Sequence, residues 1–296
     1  MWIRPFDPTW CVVADLDEDT ERVVETLLCT ADGSFGTRGV LEERRPPGAL
    51  PVIVGGVFEP DQAVGERLMA VPGWCTLPIQ GSLPPGQRVL DLRDGVQSRA
   101  ARTCNGCALR SARFACAGRP GTAVLRADVS AELWPFDAEA EAQPITVIYT
   151  ANGGGGVAVA TSTTARSVDG AKGQLVIERI VAQVSSPRYR PDTARARRSF
   201  DRAARLGSEA LLAEQRRVWS RRWTSCDVEI VGDSEATLSV RFALYHLLSS
   251  TRRQGESAVG ARGLTGTAYA GHVFWDTEAF VLPVVAAVDG RAARSV

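Results

Sequence analysis

The pattern of hydrophobic and polar residues changes once along the chain, near Pro191. Before that point, short apolar or alternating runs are separated by Gly-, Pro- and polar-rich breaks, a pattern typical of strands joined by turns. The clearest predicted strands are PVIVGGVF (51–58), TAVLRADVSAELW (122–134), PITVIYTA, VAVATSTTA and QLVIERIVAQV. Short strands at this spacing predict a large antiparallel β-sandwich.

Beyond Pro191 the pattern predicts helices. Residues 194–223 are rich in Ala, Arg, Leu and Glu, and Leu206 and Leu211 share one face of the predicted helix. The sequence CDVEIVGD (226–233) then alternates apolar and polar residues. As a strand it would place Asp227 and Glu229 on one face. These two residues would then be either a carboxylate cluster or solvated charges at the edge of a sheet, and the sequence favours neither interpretation.

A second helix is predicted at ATLSVRFALYHLLSS, with Asp233 or Ser234 as its N-cap. Its apolar face is broad, as expected for a helix that packs between neighbours, and His246 is predicted to be a packed helix residue. In the last apolar segment, TEAFVLPVVAAV, Pro283 is predicted to kink or interrupt a helix.

Composition narrows the class of protein. A chain of 296 residues with 45% hydrophobic residues is long enough for roughly two domains. The 34 basic and 34 acidic residues balance, so the basic excess of a nucleic-acid-binding protein is missing. Because no run of about 18 apolar residues and no signal-peptide pattern is present, we expect neither membrane insertion nor secretion.

The seven cysteines are scattered and odd in number, which favours reduced thiols and a cytoplasmic location over a disulfide framework. Cys104 and Cys107 form a C-x-x-C pair. A zinc site would need a second pair, so we interpret the segment as a turn between strands with free thiols and expect no metal.

The densest cluster of side chains that can bind a ligand or transfer a proton lies in GHVFWDTE, residues 271–278. Sugars are bound by aromatic rings that pack on the C–H face of the pyranose and by carboxylates that accept hydrogen bonds from its hydroxyls. Trp275 and Asp276 supply both kinds of group side by side. The pairing indicates a sugar site, in which some of His272, Phe274 and Glu278 act as structural support.

The same residues also have a purely structural interpretation. Phe274 and Trp275 would then belong to the core, and Asp276 would cap a helix through its carboxylate. Glu278 would lie in the first helical turn, where the helix dipole favours a negative charge. The motif on its own leaves both interpretations open.

Four segments, in order, resemble glycoside hydrolase family 65, which contains the maltose, trehalose and kojibiose phosphorylases and the acid trehalases. ARGLTGTAYAGHVFWDTEAFVLP (261–283) resembles the first signature of its catalytic domain. ETLLCTADGSFGTRGVLEE (25–43) resembles its N-terminal motif, and LDLRDGVQSR (90–99) its L-D-x-x-x-G-x-x-x-R segment. WSRRWTSCDVEIVGDSEATLSVRFALYHLL (219–248) resembles its linker and first barrel helix. The resemblance covers almost the whole chain.

The resemblance implies a β-rich fold followed by α. Residues 1–190 would form a large antiparallel β-sandwich, 191–232 a helical linker, and 233–296 the first helices of an incomplete (α/α)6 barrel. Trp275 and Asp276 would contribute to the pocket for the non-reducing glucose, and Arg262 would hold the preceding loop. The substrate-binding candidates are Trp275, Asp276, His272, Glu278 and Arg262.

The chain departs from the family pattern in one respect that bears on activity. The catalytic glutamic acid of the family lies in a G-P-D-E-type motif that residues 1–296 do not contain. We therefore expect no catalytic residue in this chain, a chain that stops within the catalytic domain, and no activity from it alone. Asp32 stands where the family usually has asparagine, and Glu42 and Glu43 are predicted to contact the catalytic domain.

The implied function is inverting hydrolysis or phosphorolysis of an α-linked glucose disaccharide of the trehalose, maltose or kojibiose type. In phosphorolysis, inorganic phosphate replaces the attacking water of an inverting hydrolase and is a co-substrate. No cofactor is expected. Expected partners are the disaccharide and either a second copy of the chain or a separately encoded remainder of the barrel. The alternative is a non-catalytic carbohydrate-binding or assembly protein on the same β-sandwich.

Overall fold

Strands occupy the first part of the chain and helices the last. The structure is a computed structural model that describes residues 2–296 except 15–20, 44–50, 72, 82, 85, 137–144, 151–154, 169–172 and 254–258. The strands are β1 (Cys11–Ala14), β2 (Thr30–Ala31), β3 (Phe35–Thr37), β4 (Val52–Asp61), β5 (Gly65–Val71), β6 (Gln87–Asp91), β7 (Val96–Arg102), β8 (Ala108–Ala115), β9 (Thr122–Ser130), β10 (Ile145–Thr150), β11 (Gly156–Ser167) and β12 (Gln174–Ser186). The helices are α1 (Glu21–Leu27), α2 (Thr193–Cys226), α3 (Ser234–Ser249), α4 (Leu282–Val288) and α5 (Gly290–Ala293).

The strands form two antiparallel sheets. The larger sheet has eight strands in the order β1-β6-β7-β8-β9-β12-β11-β10, and the smaller has four in the order β2-β3-β4-β5. Their facing sides enclose the largest apolar core, to which β4 contributes Val52 and Val54 and β9 contributes Leu125 and Ala127. The predicted fold class, an antiparallel β-sandwich followed by helices, is confirmed.

The large sheet is buried on both faces. In β9, Leu125 faces the small sheet whereas its neighbour Val124 packs with Phe114 and Leu211 on the side of α2. Both successive positions are therefore apolar, which explains why the strand sequence alternates only in part.

Helix α2 crosses the large sheet and is broken at Gly207, whose φ of 76° is outside the helical region. Asp192 caps its N-terminus by accepting a hydrogen bond from the Arg195 amide at 2.8 Å. The break changes the phase of the helix, so Leu206 is 43% exposed while Leu211 is 1% exposed. The prediction that these two leucines share a face is therefore wrong.

A second core joins the sheets to the helical region. It contains Val24 of α1, Trp219 and Trp223 of α2, and Tyr245 and Leu248 of α3. The rings of Trp219 and Tyr245 stack with centroids 4.8 Å apart. Helix α3 also carries His246, whose Nε2 lies 3.2 Å from the Leu27 carbonyl oxygen. Burial lowers the pKa of His246 to about 4. This environment agrees with the prediction that His246 is a packed helix residue.

Residues 227–233 form no strand, contrary to the alternation in their sequence. Val231 in this segment is 95% exposed, because the segment is a turn at the surface. Asp227 makes a bidentate ion pair with Arg241 of α3, with N–O distances of 2.7 and 2.9 Å. The predicted N-cap is confirmed, since Asp233 accepts a hydrogen bond from the Ala236 amide at 2.9 Å.

Candidate functional site

The loop that leads to the GHVFWDTE motif is seated on the outer face of the small sheet. Leu264 packs there with Ile53 and Leu68. Gly36 of β3 allows this approach, because a Cβ on it would lie 2.0 Å from the Leu264 carbonyl oxygen. Gly271 is equally close to the sheet, since a Cβ on it would lie 2.1 Å from Cδ1 of Leu68. The small sheet thus determines the position at which the motif begins.

The backbone just before the motif is in an unusual conformation. Tyr269 and Ala270 have φ values of 57° and 55°, in the left-handed region that L-residues other than Asn and Asp rarely adopt. Gly271 follows with φ 81°, and the Tyr269 ring packs edge-on against Phe274 at 5.6 Å. Such strain is found where surrounding contacts hold a segment in place, often at functional sites.

Trp275 and Asp276 have surroundings that the structural interpretation of the motif does not predict. Trp275 is 72% exposed and Phe274 is 42% exposed, so neither ring belongs to the core. Asp276 precedes the π-helical turn Thr277–Val281 but makes no capping hydrogen bond. Its Oδ1 is buried and has no hydrogen-bond partner among the described residues. A buried oxygen without a donor is costly, and a ligand hydroxyl can satisfy it.

The neighbouring motif residues have different environments. His272 stacks on Phe58 of β4, with ring centroids 5.2 Å apart and an angle of 9° between the planes, so it anchors the motif to the small sheet. Thr277 is buried and donates to the Val259 carbonyl oxygen at 2.9 Å. Glu278 is exposed. Pro283 lies in the first turn of α4, where the π turn gives way to α-helix, and the helical residues continue without a break from Thr277 to Val288. The predicted interruption at Pro283 is therefore not observed.

Arg262 lies apart from the tryptophan and the aspartate. It is exposed and lines a cavity of about 360 Å³ between α1, α3 and the 259–265 segment. His246 and Leu27 also line this cavity, but none of His272, Trp275, Asp276 and Glu278 does. The structure thus brings three of the five candidate residues, Trp275, Asp276 and Glu278, to one helix start and places the other two against neighbouring elements.

Sequence reasoning missed a buried ionic network inside the sandwich. Arg99 of β7 contacts Glu42 at 2.9 Å and Glu43 at 2.8 Å, and Glu42 also accepts from Ser111 at 2.7 Å. Burial by itself would raise the pKa of Glu42, but Arg113 and Arg99 outweigh it and hold this pKa below its ordinary value. The side-chain hydrogen-bond partners of Glu42 and Glu43 in the described residues are Arg99 on β7 and Ser111 on β8, and contact of the two glutamates with the catalytic domain stays a prediction.

The signal for this network was present in the motifs. Arg99 is the last residue of LDLRDGVQSR, and the two glutamates end the 25–43 segment. The same segment contains a second buried pair, with Arg38 Nη2 3.1 Å from Glu25 Oε2. Burial raises the pKa of Glu25, and the Arg38 charge opposes this effect. Acids and arginines pair both within and between these motifs, which gives the motifs a structural role.

Asp32 joins the turn between β2 and β3 to Gly121, just before β9. Its Oδ1 accepts from Ser34 N, Ser34 Oγ and Phe35 N, and its Oδ2 accepts from Gly121 N at 2.6 Å. Burial raises the pKa of this carboxyl to about 6, although the four hydrogen bonds oppose the shift. Asp32 therefore titrates in a pH range where an ordinary aspartate, at 3.8, is fully ionised.

The raised pKa of Asp32 predicts a pH-dependent stability. A carboxyl whose pKa is higher in the folded state loses stability as pH rises between the unfolded and folded values, here from about 4 to 6. The loss amounts to roughly 3 kcal/mol and levels off above pH 6. Urea unfolding of the parent and of Asp32→Asn between pH 4 and 7 measures it, with exposed Asp128→Asn as the control. Equal pH slopes for the parent and Asp32→Asn would contradict the assignment.

The C-x-x-C pair lies in the turn between β7 and β8. Cys104 is exposed, Cys107 is half-buried, and both are free thiols, so the interpretation as a turn is confirmed. Within the part of the chain that the structure describes, no three or more His, Cys, Asp and Glu side chains are grouped as metal ligands. Among the same residues, none of the helices is long and apolar enough to span a membrane.

These elements define a two-sheet antiparallel sandwich that leads through one long helix into a helical region bearing an exposed Trp–Asp pair. Residues 12–169 match the N-terminal domain of glycosyl hydrolase family 65, and residues 241–296 match the central catalytic domain of the same family. Because the first match alone covers more than half of the chain, this protein belongs to glycoside hydrolase family 65.

Individual relatives agree with this assignment. An uncharacterised glycosyl hydrolase of Mycobacterium leprae is 47% identical over 104 residues, which are 34% of this chain and 13% of that protein. Kojibiose phosphorylase of Halothermothrix orenii is 44% identical over 86 residues, 29% of this chain and 11% of the enzyme. The α,α-trehalose phosphorylase of Geobacillus stearothermophilus is 43% identical over 74 residues, 25% of this chain and 10% of the enzyme.

The fold also matches a solved structure. A candidate kojibiose phosphorylase from the human microbiome superposes with a TM-score of 0.81 at 17% identity. The match covers 97% of this chain and 45% of that protein. This chain thus spans less than half of that structure, and at this level of identity the likeness concerns the fold.

Proposed function

We propose that residues 271–278 bind the non-reducing glucose of an α-linked glucose disaccharide, in a reaction of the inverting phosphorolysis type. The observation that carries this proposal is the pairing of an exposed Trp275 ring with Asp276. Asp276 caps no helix and has a buried oxygen without a donor. Both residues lie in the segment that matches the catalytic domain of the family.

The chemistry of the two groups fits a pyranose. The indole face covers the apolar C–H face of the sugar, while the carboxylate accepts hydrogen bonds from hydroxyls at the ring edge. Glu278, two residues after Asp276 and exposed, is a second proposed acceptor. The stacked ring of His272 and the close contact at Gly271 set the distance between the motif and the small sheet. We assign no catalytic acid to any residue of this chain.

Those relatives whose names state a substrate support phosphorolysis over hydrolysis. Three kinds of phosphorylase, for kojibiose, trehalose and nigerose, are among the proteins similar to this chain. Inorganic phosphate is then the proposed co-substrate, which attacks the anomeric carbon on the face opposite the protonated leaving oxygen. The seven free cysteines support a cytoplasmic location, where thiols stay reduced.

Substitutions at the two residues test the sugar site. We expect Trp275→Ala to weaken disaccharide binding through lost stacking, and Asp276→Asn to weaken it through lost charge-assisted hydrogen bonds. Each hydrogen bond to a charged group contributes about 1.5–3 kcal/mol, so the dissociation constant should rise about tenfold or more. NMR titration of the chain with kojibiose, trehalose, nigerose and maltose gives these constants.

Matched controls separate a local effect from a general one. Phe136→Ala removes another exposed aromatic ring and Asp128→Asn another exposed carboxylate, both on the sandwich. These controls should bind as the parent does. Parental dissociation constants for Trp275→Ala and Asp276→Asn, with the fold intact by circular dichroism, would remove both residues from the site.

A further inference from the structure

A polar cavity of about 230 Å³ lies where the sandwich, the start of α2 and the end of α3 meet. It is smaller than the cavities that hold drug-sized molecules, which begin near 300 Å³. The polar side chains that line it are Ser34, Gln183, Ser185, Arg195, Ser199 and Arg252. None of the candidate sugar-binding residues lines it.

Close backbone contacts fix the walls of this cavity. Gly33, at φ 85°, lies so near the segment after α3 that a Cβ would be 2.4 Å from the Thr251 carbonyl oxygen. Gly121, at φ 90°, lies equally close to Gln183, because a Cβ there would be 2.3 Å from the Gln183 carbonyl oxygen. The Gln183 amide also donates to the Gly121 carbonyl at 2.7 Å. Arg252 and the β12 end are therefore held beside the β2–β3 turn without help from a ligand.

Two arginines, Arg195 and Arg252, line the cavity. Arg195 makes no ion pair with any carboxylate in the described ranges, so its positive charge is available to a ligand. The nearby Asp192 is occupied by capping the Arg195 amide and by Arg198. The other acid close by, Asp32, is buried behind Ser34 and accepts four hydrogen bonds. Its charge is thus held by protein donors.

Two hydroxyls complete a set of donors. Ser199 Oγ accepts from Arg202 at 3.5 Å, which leaves its own proton for a ligand. Ser185 lines the cavity from the end of β12. Ser34 does not add to this set, because its hydroxyl donates to Asp32. Two guanidinium groups and two hydroxyls around a small space match a tetrahedral oxyanion, since arginine binds phosphate oxygens in a fork.

We propose that this cavity binds a phosphate group, as inorganic phosphate or as part of a small phosphate ester, at a site separate from the sugar site. The bound anion bridges Arg195 on α2, Arg252 after α3 and Ser185 on β12. Since these side chains belong to three segments, occupancy stabilises the junction between the sandwich and the helical region.

Calorimetric titration of the chain tests this site, with inorganic phosphate, glucose 1-phosphate and glucose as probes at constant ionic strength. Inorganic phosphate should occupy one saturable site per chain, and glucose should not displace it. Arg195→Gln should weaken phosphate binding about tenfold or more, because a charge-assisted contact is lost. In the Asp276→Asn variant, whose sugar site is weakened, the tighter of inorganic phosphate and glucose 1-phosphate shows whether the free anion or the ester is preferred.

The control is Arg198→Gln, which removes an arginine of the same helix that is 63% exposed and pairs with Asp192 outside the cavity lining. It should bind phosphate as the parent does. Asp276→Asn should also leave phosphate binding unchanged, so a failed sugar site and a failed phosphate site give different results. Absence of saturable binding, or equal weakening by Arg195→Gln and Arg198→Gln, would overturn the proposal.

Discussion

Replacing Arg99 with methionine is expected to lower the free energy of unfolding by about 3–5 kcal/mol, because it removes the guanidinium that pairs with both buried Glu42 and Glu43. Arg99 and Glu42 are at most 1% exposed, so water cannot take over the role of the guanidinium. A loss of this size is a large part of the total stability of a domain, about 5–15 kcal/mol. Urea unfolding followed by circular dichroism measures it.

Two further variants make the Arg99 result specific. Arg67→Met removes an arginine that is 48% exposed and pairs with Glu59 and Asp61, and it should cost less than about 1 kcal/mol. Combining Arg99→Met with Glu42→Leu should recover part of the loss, because the uncompensated buried charge is removed. Equal losses for Arg99→Met and Arg67→Met would show that the network does not support the sandwich.

Gly36→Ala is expected to lift the 259–272 loop from the small sheet. The new Cβ would lie 2.0 Å from the Leu264 carbonyl oxygen, and a backbone atom cannot move aside by changing rotamer. We expect a cost of about 3 kcal/mol or more, at or above the upper end of ordinary overpacking. Hydrogen exchange should become faster in this loop and in residues 271–278, and disaccharide binding should weaken with it.

Gly266→Ala is the matched control for the loop. It adds the same methyl group within the same loop, at a position where a Cβ meets nothing within 4 Å. Its exchange rates and sugar affinity should equal those of the parent. If Gly36→Ala also leaves the protection of residues 271–278 unchanged, the small sheet does not position the motif.

Local pattern was sufficient for elements whose own residues determine them. The runs at 51–58, 174–184 and 194–223 correspond to β4, β12 and α2, because β-branched runs and Ala-rich helical stretches have strong intrinsic preferences. Strand β9 ends at Ser130 rather than Trp134, and a 3-10 turn at Ala131–Leu133 follows. Element ends depend on contacts that a single segment does not contain.

Other elements carried little local signal. Strands β6, β7 and β8 contain arginines that the fold buries beside glutamates, so their sequences do not have the pattern of apolar strands. Helix α1 has only seven residues, too few to be stable without its packing against α2 and α3. The alternating segment begins with Cys226 at the end of α2, and its residues 227–233 pair with none of the described strands and form a turn.

The sequence by itself determined the order of sandwich and helices, the family resemblance, and the presence of a Trp–Asp pair with the chemistry of a sugar site. Only the tertiary structure decided which motif residues are free for a ligand. It stacks His272 on Phe58 and leaves Trp275 exposed. It also pairs Arg99 with Glu42, 57 positions apart. Exposure and pairing arise from contacts between distant segments, and local pattern contains no record of those contacts.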